Sequence, residues 1–447
     1  MRIRIFYIIS LILIIPHCTK KNSKKPFESV QDQSKKRFNV EPTWKCQTIK
    51  SHVNDLLDNG ISLNNAIAIG INNNLSLQAK FEEIGISKSD LLQAGFYTNP
   101  NLQAIFRIPK TNDLKTNAEI TANFILSDLW QVPLRKKIAQ HDLEVKTYEI
   151  VHEILHLRYD IQKRYITCLY NQKHLHLVKE ITKVINSLKK RIDYRHTFGY
   201  TNDLDKYFAE SKLGEWQIKI MENKTILRTS YIDLYEILGG NISTKPVELF
   251  DTLHTFTIST PLHELENFAL SCHPSILIEK AKIARANKTI SYEKSRIIDN
   301  MQIGIAYEQD FERKASGVGP SLSLDIPLFN TNYGNIERAK FALREAEKTL
   351  AARKQTILKN MMKSYLNYKC HLEQIDYYKK SVIPPITKAI AFSKKFFDRM
   401  QINMIVFLET QIDLYQHKAH LLELVYKTAL EYAALELSIG SQLKNIN

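Results

Sequence analysis

The sequence predicts a mainly α-helical, internally duplicated fold in which long antiparallel coiled-coil helices carry a small amount of membrane-type β structure. Three observations predict it. The stretch Gly317 to Leu350, GVGPSLSLDIPLFNTNYGNIERAKFALREAEKTL, joins a strand pattern almost directly to a long helix pattern. In its first part Val318, Leu322, Leu324 and Ile326 alternate with Ser321, Ser323 and Asp325. In its second, Ile336, Ala339, Leu343, Ala346 and Leu350 recur three and four apart, the spacing of a coiled-coil seam. The plan also occurs twice: Asn74 and Pro274, Gly199 and Met400, and Gly239 and Gly440 stand 200, 201 and 201 residues apart.

Taken in order, the chain opens with an export signal over residues 1–17. Arg2 and Arg4 precede Ile5 to Ile15, an apolar run too short to span a bilayer. Cys18 stands where a bacterial lipoprotein signal places its acylated cysteine. Ile15 fits that pattern, while Pro16 and His17 replace its usual small residues. Cys18 is therefore the candidate lipid anchor. Residues 18–58 read as an N-terminal tether, polar and basic from Lys20 to Lys36.

The first repeat spans 59–260. Ile61 to about Gln93 is helical in pattern with a break expected near Gly85, and Asn99-Pro100 stops it. A β-hairpin follows over about 100–128. Leu102, Ala104, Phe106 and Ile108 form one apolar row and Ile120, Ala122, Phe124 and Leu126 the other. Val132-Pro133 opens a helix to about His196; a tip near Gly199 and a return helix to Gly239-Gly240 complete the unit. The second repeat, 261–447, has a helix from Leu262 to about Arg296 and a hairpin over about 301–328. Its long helix runs from Gly334 to Phe397 with a kink expected at Pro384-Pro385. A tip near 401 and a return helix to Gly440 follow.

These elements have physical consequences. Gly334 to Phe397 as one helix is about 95 Å long, so such helices must cover one another. The strands alternate apolar-outside and polar-inside, as membrane barrels do. Four strands cannot close a barrel, and open edges are not tolerated in lipid. The chain must oligomerise.

Composition excludes several classes. The net charge of +15, from 62 Lys+Arg against 47 Asp+Glu, is dispersed along the chain. It lacks the clustered footprint of a nucleic-acid binder. Cys46, Cys168, Cys272 and Cys370 have no metal-type spacing, and no phosphate-binding glycine loop or nucleophile elbow occurs. No cofactor, metal site or enzymatic activity is expected.

One motif competes with that reading. His152-Glu153-Ile154-Leu155-His156 is a literal zinc-peptidase signature, in which the two histidines would hold the ion and Glu153 would act as general base. Glu180 would be the third ligand of this alternative, an exported zinc metallopeptidase. The motif lies inside a periodic helix with no cleft-forming segment around it, which favours surface and seam residues of a coiled coil. His174 and His176 are two apart and share no helical face. Asp203 and Asp205 on the first turn, and Asp398 and Arg399 on the second, sit at the duplicated tips. With Arg195 they are the candidates for lining a constriction and cross-linking neighbouring hairpins.

The order of motifs also carries a family likeness. GPSLSLDIPLF followed by an Ala-rich helix, with NAIAIGINNNLSLQA (Asn65 to Ala79) and LLQAGFYTNPNL (Leu91 to Leu102) in the first half, resembles the TolC-type outer-membrane efflux proteins. The CzcC/CusC kind is the nearest branch, and the likeness runs from about Ile61 to Leu443. It implies a homotrimer whose twelve strands close a β-barrel in the outer membrane above an α-helical barrel in the periplasm. It also implies docking on a periplasmic adaptor and an inner-membrane pump, and passive exit of substrates such as metal ions or drugs. The family's tip pattern falls on His196, Gly199 and Asn202, and on Phe397, Met400 and Asn403. His196 replaces the usual aromatic and Met400 the usual glycine. No Met or His ladder marks a metal path, so the residues do not choose a substrate.

Overall fold

The computed structural model describes residues 25–44, 60–110, 115–399 and 401–445. The expected export signal, Cys18, Cys46 and Met400 lie outside them. The first element is a correction. Lys25–Phe38, within the expected tether, is a helix (α1). Phe27, Val30, Ser34 and Phe38 recur three and four apart and are buried, Val30 and Phe38 almost completely. A polar average had masked a narrow apolar stripe.

Helices α2 (Leu63–Asn73) and α3 (Leu75–Ala94) follow. Their break is at Asn74, not near Gly85. Asn74 is extended (ψ 116°), and its side-chain oxygen accepts from Leu77 N at 3.1 Å, capping α3. The second half repeats the device. The helix expected from Leu262 to Arg296 is broken at His273 into α6 (Leu262–Cys272) and α7 (Pro274–Ser295), because Pro274 holds His273 extended; we number these after α4 and α5, given next. His273 Nδ1 accepts from Ser275 N at 3.1 Å.

The longest helix, α4 (Asp128–Thr197), spans about 105 Å and contains Pro133 in its second turn, so the helix starts earlier than Val132-Pro133 suggests. It pairs with α5 (Asp203–Ile237). After the second hairpin come α8 (Tyr333–Tyr377), α9 (Ile383–Asp398) and α10 (Met404–Ile439). The kink expected at Pro384-Pro385 is a π-helical turn, Tyr378–Val382, just before the two prolines. Proline cannot donate and clashes with the carbonyl four residues back. The backbone slips one residue, and Ile383 N donates to Tyr378 O.

The sheet has order β1-β2-β3-β4, all antiparallel: β1 (Asn101–Arg107), β2 (Asn117–Ile125), β3 (Gln302–Asp310) and β4 (Ala315–Ser323). The central pair β2–β3 joins the two halves, and β1 and β4 are edges. Pro320 is on an edge strand, where a missing donor is tolerated. β4 ends at Ser323, so Leu324 and Ile326, which the alternation places in the strand, lie beyond it.

The main core lies where α1, α2 and α3 cover the middle of α4 and the C-terminal end of α5, around Phe81, Ile84, Ile154, Leu155 and Tyr165. A second cluster near the tips follows a heptad seam, Val178, Ile181, Ile185, Leu188 and Ile192. In α8, Ile336 and Ala339 are buried while Leu343, Ala346 and Leu350 are half-buried. Between the halves, Arg158 of α4 and Glu436 of α10 form a buried ion pair at 2.9 Å.

Candidate functional site

Two regions have geometry that the core does not require: the sheet and the hairpin tips. Cross-strand partners share a face. Leu102 opposite Ala122, Ala122 opposite Ile305 and Ile305 opposite Pro320 form a row across all four strands. With Phe106, Phe124, Ile303, Val318 and Leu322 they make one apolar, largely exposed face. The other face carries Gln103 opposite Thr121, Asn101 opposite Asn123, and Gln302 opposite Ser323. Here Ser321 donates to Asn123 Oδ1 at 3.0 Å across Gly304. A Cβ at Gly304 would come within 2.4 Å of the Ala122 carbonyl oxygen. Farther from the helices, Glu119 stands opposite Glu308, and Arg107 relieves the like-charge contact by pairing with Glu119 at 2.9 Å.

The tips lie at the far ends of the long helices. Gly199 has φ +74°, the left-handed turn that lets α4 reverse into α5. Asn202 accepts from Asp205 N at 2.9 Å and caps α5, and Asn403 caps α10 in the same way through Ile405 N. His196 Nε2 meets Asp203 Oδ1 at 2.7 Å, and Thr201 donates to Asp205 at 2.8 Å. Both aspartates therefore have partners on their own hairpin.

The two hairpins are joined by other contacts. The Arg195 guanidinium lies 4.5 Å over the Phe397 ring, which is buried and stacked on Phe407. Asp398 pairs with Arg191 at 3.6 Å. Of the residues singled out in the sequence, Arg195 and Asp398 are thus brought to the junction within one chain. Asp205 lines the same cleft beside Arg195, Phe397 and Asn403, Asp203 is held by His196, and Arg399 makes no ion pair among the described residues. Arg191 was missed, although it stands one helical turn before Arg195.

The zinc motif has no site around it. The His152 and His156 rings pack edge to face, centroids 4.4 Å apart, and His152 Nδ1 is 3.4 Å from Ser275 Oγ. Glu180 lies 24 residues beyond His156, about 36 Å along the same helix, and pairs with His176. The nearest further imidazole, His273, uses Nδ1 on Ser275 N and Nε2 on the Leu437 carbonyl. Burial pushes His152 down to about 4 and His273 down to about 3, each helped by the neighbouring imidazole. Among the described residues no three His, Cys, Asp or Glu side chains are placed to hold a metal ion.

A four-stranded sheet with one apolar and one polar face, set on helices of which the longest reaches about 105 Å, is the fold of the TolC-type outer-membrane channels. Comparison with known proteins agrees. Residues 269–441, in the second half, match the family model "Outer membrane efflux protein". The cobalt-zinc-cadmium resistance protein CzcC of Cupriavidus metallidurans is 18% identical over 385 residues, 85% of this chain and 90% of that protein. Crystal structures of CusC superpose with a TM-score of 0.72 at 13% identity, covering 86% of this chain and 93% of that one. The Campylobacter jejuni CmeC outer membrane channel gives 0.70 at 13% identity, covering 96% and 94%. The chain has the TolC-type fold, and its second half matches the outer-membrane efflux protein family. These relatives are channel proteins, not enzymes.

Proposed function

We propose that this chain is the exit duct of a tripartite efflux pump, a homotrimer that conducts substrate passively across the outer membrane. The observation that carries this reading is the sheet: an apolar outer face, a polar inner face and two open edges. Three copies joined β4 to β1 would give twelve strands with no free edge in lipid. Energy would come from an inner-membrane pump reached through a periplasmic adaptor, and substrates would be metal ions, the class in the name of CzcC, or drugs. The matching succession of elements supports an internal duplication with repeats at 59–260 and 261–447. Purified protein reconstituted in planar bilayers is expected to run as an SDS-resistant trimer and to show discrete single-channel conductance. A protein that stays monomeric and silent would overturn the reading.

Lipid anchoring at Cys18 fits the position of α1. Phe27 packs against Phe81, 13 residues before the end of α3 and so about 20 Å below the sheet end of that helix. Cys18 is nine residues before Phe27, a reach of up to about 30 Å. Labelled palmitate should be incorporated and lost in Cys18→Ala. At the opposite end, Arg195, Asp203, Asp205, Asp398 and Arg399 are assigned to the closing tip, with Arg191 and Phe397 joining its two hairpins.

A further inference from the structure

We propose that the junction between the sheet and the helices carries a headgroup site for anionic phospholipids of the periplasmic leaflet, built from Lys136, Lys137 and Lys294. The proposal rests on the exit-duct reading, which sets the apolar face of the sheet in the membrane. Bonds between neighbouring elements hold the junction together. Arg135 donates to the carbonyls of Ala94 and Phe96, Trp130 Nε1 to the Ser295 carbonyl at 3.4 Å, and Gln131 to Asp299 at 3.2 Å. At this level large apolar side chains stand open, Leu129 and Trp130 where α4 begins and Ile297 and Ile298 just past the end of α7. A contiguous group of this kind faces lipid and not a water-filled lumen. It therefore continues the apolar face of the sheet.

Farther from the sheet the same faces turn cationic. Lys136 and Lys137 follow Leu129 and Trp130 by seven residues, two helical turns and about 10 Å. Ile297 N bonds the Lys294 carbonyl, which puts Lys294 one turn before Ile297. All three lysines are exposed and pair with no carboxylate among the described residues. Nearby carboxylates are engaged elsewhere, Asp128 by Thr98 N at 2.6 Å, Asp299 by Arg296 at 3.1 Å and Glu293 by Asn332 at 2.9 Å. Helices α4 and α7 pack on each other and lie between α3 and α8. A neighbouring copy joined at β1 or β4 thus leaves their outer faces open. Lysine stems lie along apolar surface while the ammonium reaches the polar layer. An apolar band followed by unpaired cations fits an acyl chain and the phosphate at its end. A zwitterionic headgroup brings its own cation beside the phosphate, so charge selects a net-anionic lipid such as phosphatidylglycerol.

The test uses the full-length protein in vesicles of phosphatidylcholine containing phosphatidylglycerol, with bromine on the acyl chains of one lipid or the other to quench tryptophan. Trp130 is the reporter: Trp44 bonds Glu82, 12 residues before the end of α3, and Trp216 is buried in the tip cluster. Quenching should show phosphatidylglycerol beside Trp130 at about fivefold or more above its bulk share, falling as salt is raised. Lys136→Gln with Lys137→Gln and Lys294→Gln should bring it to the bulk share. Lys388→Gln with Lys394→Gln and Lys395→Gln, equal in charge change but on α9, should not, and excess inorganic phosphate should not compete. Quenching in proportion to bulk composition, or an excess that survives the junction variant, overturns the proposal. So does an excess lost equally in the α9 variant, which would mean diffuse attraction, or lost to free phosphate. No quenching by either lipid would put the junction outside the membrane and overturn the exit-duct reading as well; every other failure leaves that reading in place.

Discussion

Glu436→Ala is expected to be among the more costly single substitutions in this protein. Glu436 and Arg158 are 3% and 4% exposed and meet at 2.9 Å. The same carboxylate accepts from Gln162 Nε2 at 3.4 Å and from Leu443 N at 3.2 Å, so it also holds the turn after α10. Removing it leaves a guanidinium buried without a counter-charge, and the Arg158 Nε already lacks a partner. Breaking a buried pair in this way costs about 3–5 kcal/mol, whereas replacing both partners with apolar groups is often close to neutral. Arg158→Met with Glu436→Leu should therefore recover most of the loss, although the Leu443 contact stays broken. Loss of helical ellipticity on heating, followed in detergent for the wild type, both single variants and the double, closes the cycle. If Glu436→Ala melts with the wild type, or the double variant melts no higher than the worse single, the pair is not what joins the halves here.

Three further outcomes follow from the geometry. Folded His152 and His273 stay neutral to about 4 and 3, while the unfolded chain takes up protons near 6.5. Stability should thus be full above pH 6.5 and fall as pH drops toward those values, by at most about 1.4 kcal/mol per pH unit for each group; a melting temperature level from pH 7 to 4.5 would refute this. Ile305→Lys places charge on the apolar face and should cost roughly 2–4 kcal/mol per chain at mid-membrane depth. Thr121→Lys, on the polar face of the neighbouring strand, should still assemble and shift ion selectivity, so equal trimer yields would reverse the inside-outside assignment. At the tip, Arg191→Ala with Asp398→Ala should raise single-channel conductance at low salt and leave the trimer intact. That exposed pair is worth only about 0–1 kcal/mol, weak enough for a partner to open.

Periodicity is local, and what it encodes was readable from the chain alone. The alternation around Ile120 and Ile305, the heptad spacing in the long helices and the glycines at 199, 239 and 440 placed the strands, the shafts and most turns. The expectation of an oligomer also came from the sequence, since four strands with apolar faces leave edges that lipid cannot satisfy. Tertiary structure decided the rest, for reasons of distance and context. Whether Asn74 or Gly85 breaks a helix depends on which side chain finds an amide to cap. Lys25–Phe38 is a helix because three apolar side chains meet a core built from residues much later in the chain, which a polar composition does not reveal. The junction of the tips joins Arg191 to Asp398 and Arg195 to Phe397, each about 200 residues apart. No spacing rule reports such a contact, because only the parallel lie of two long hairpins creates it.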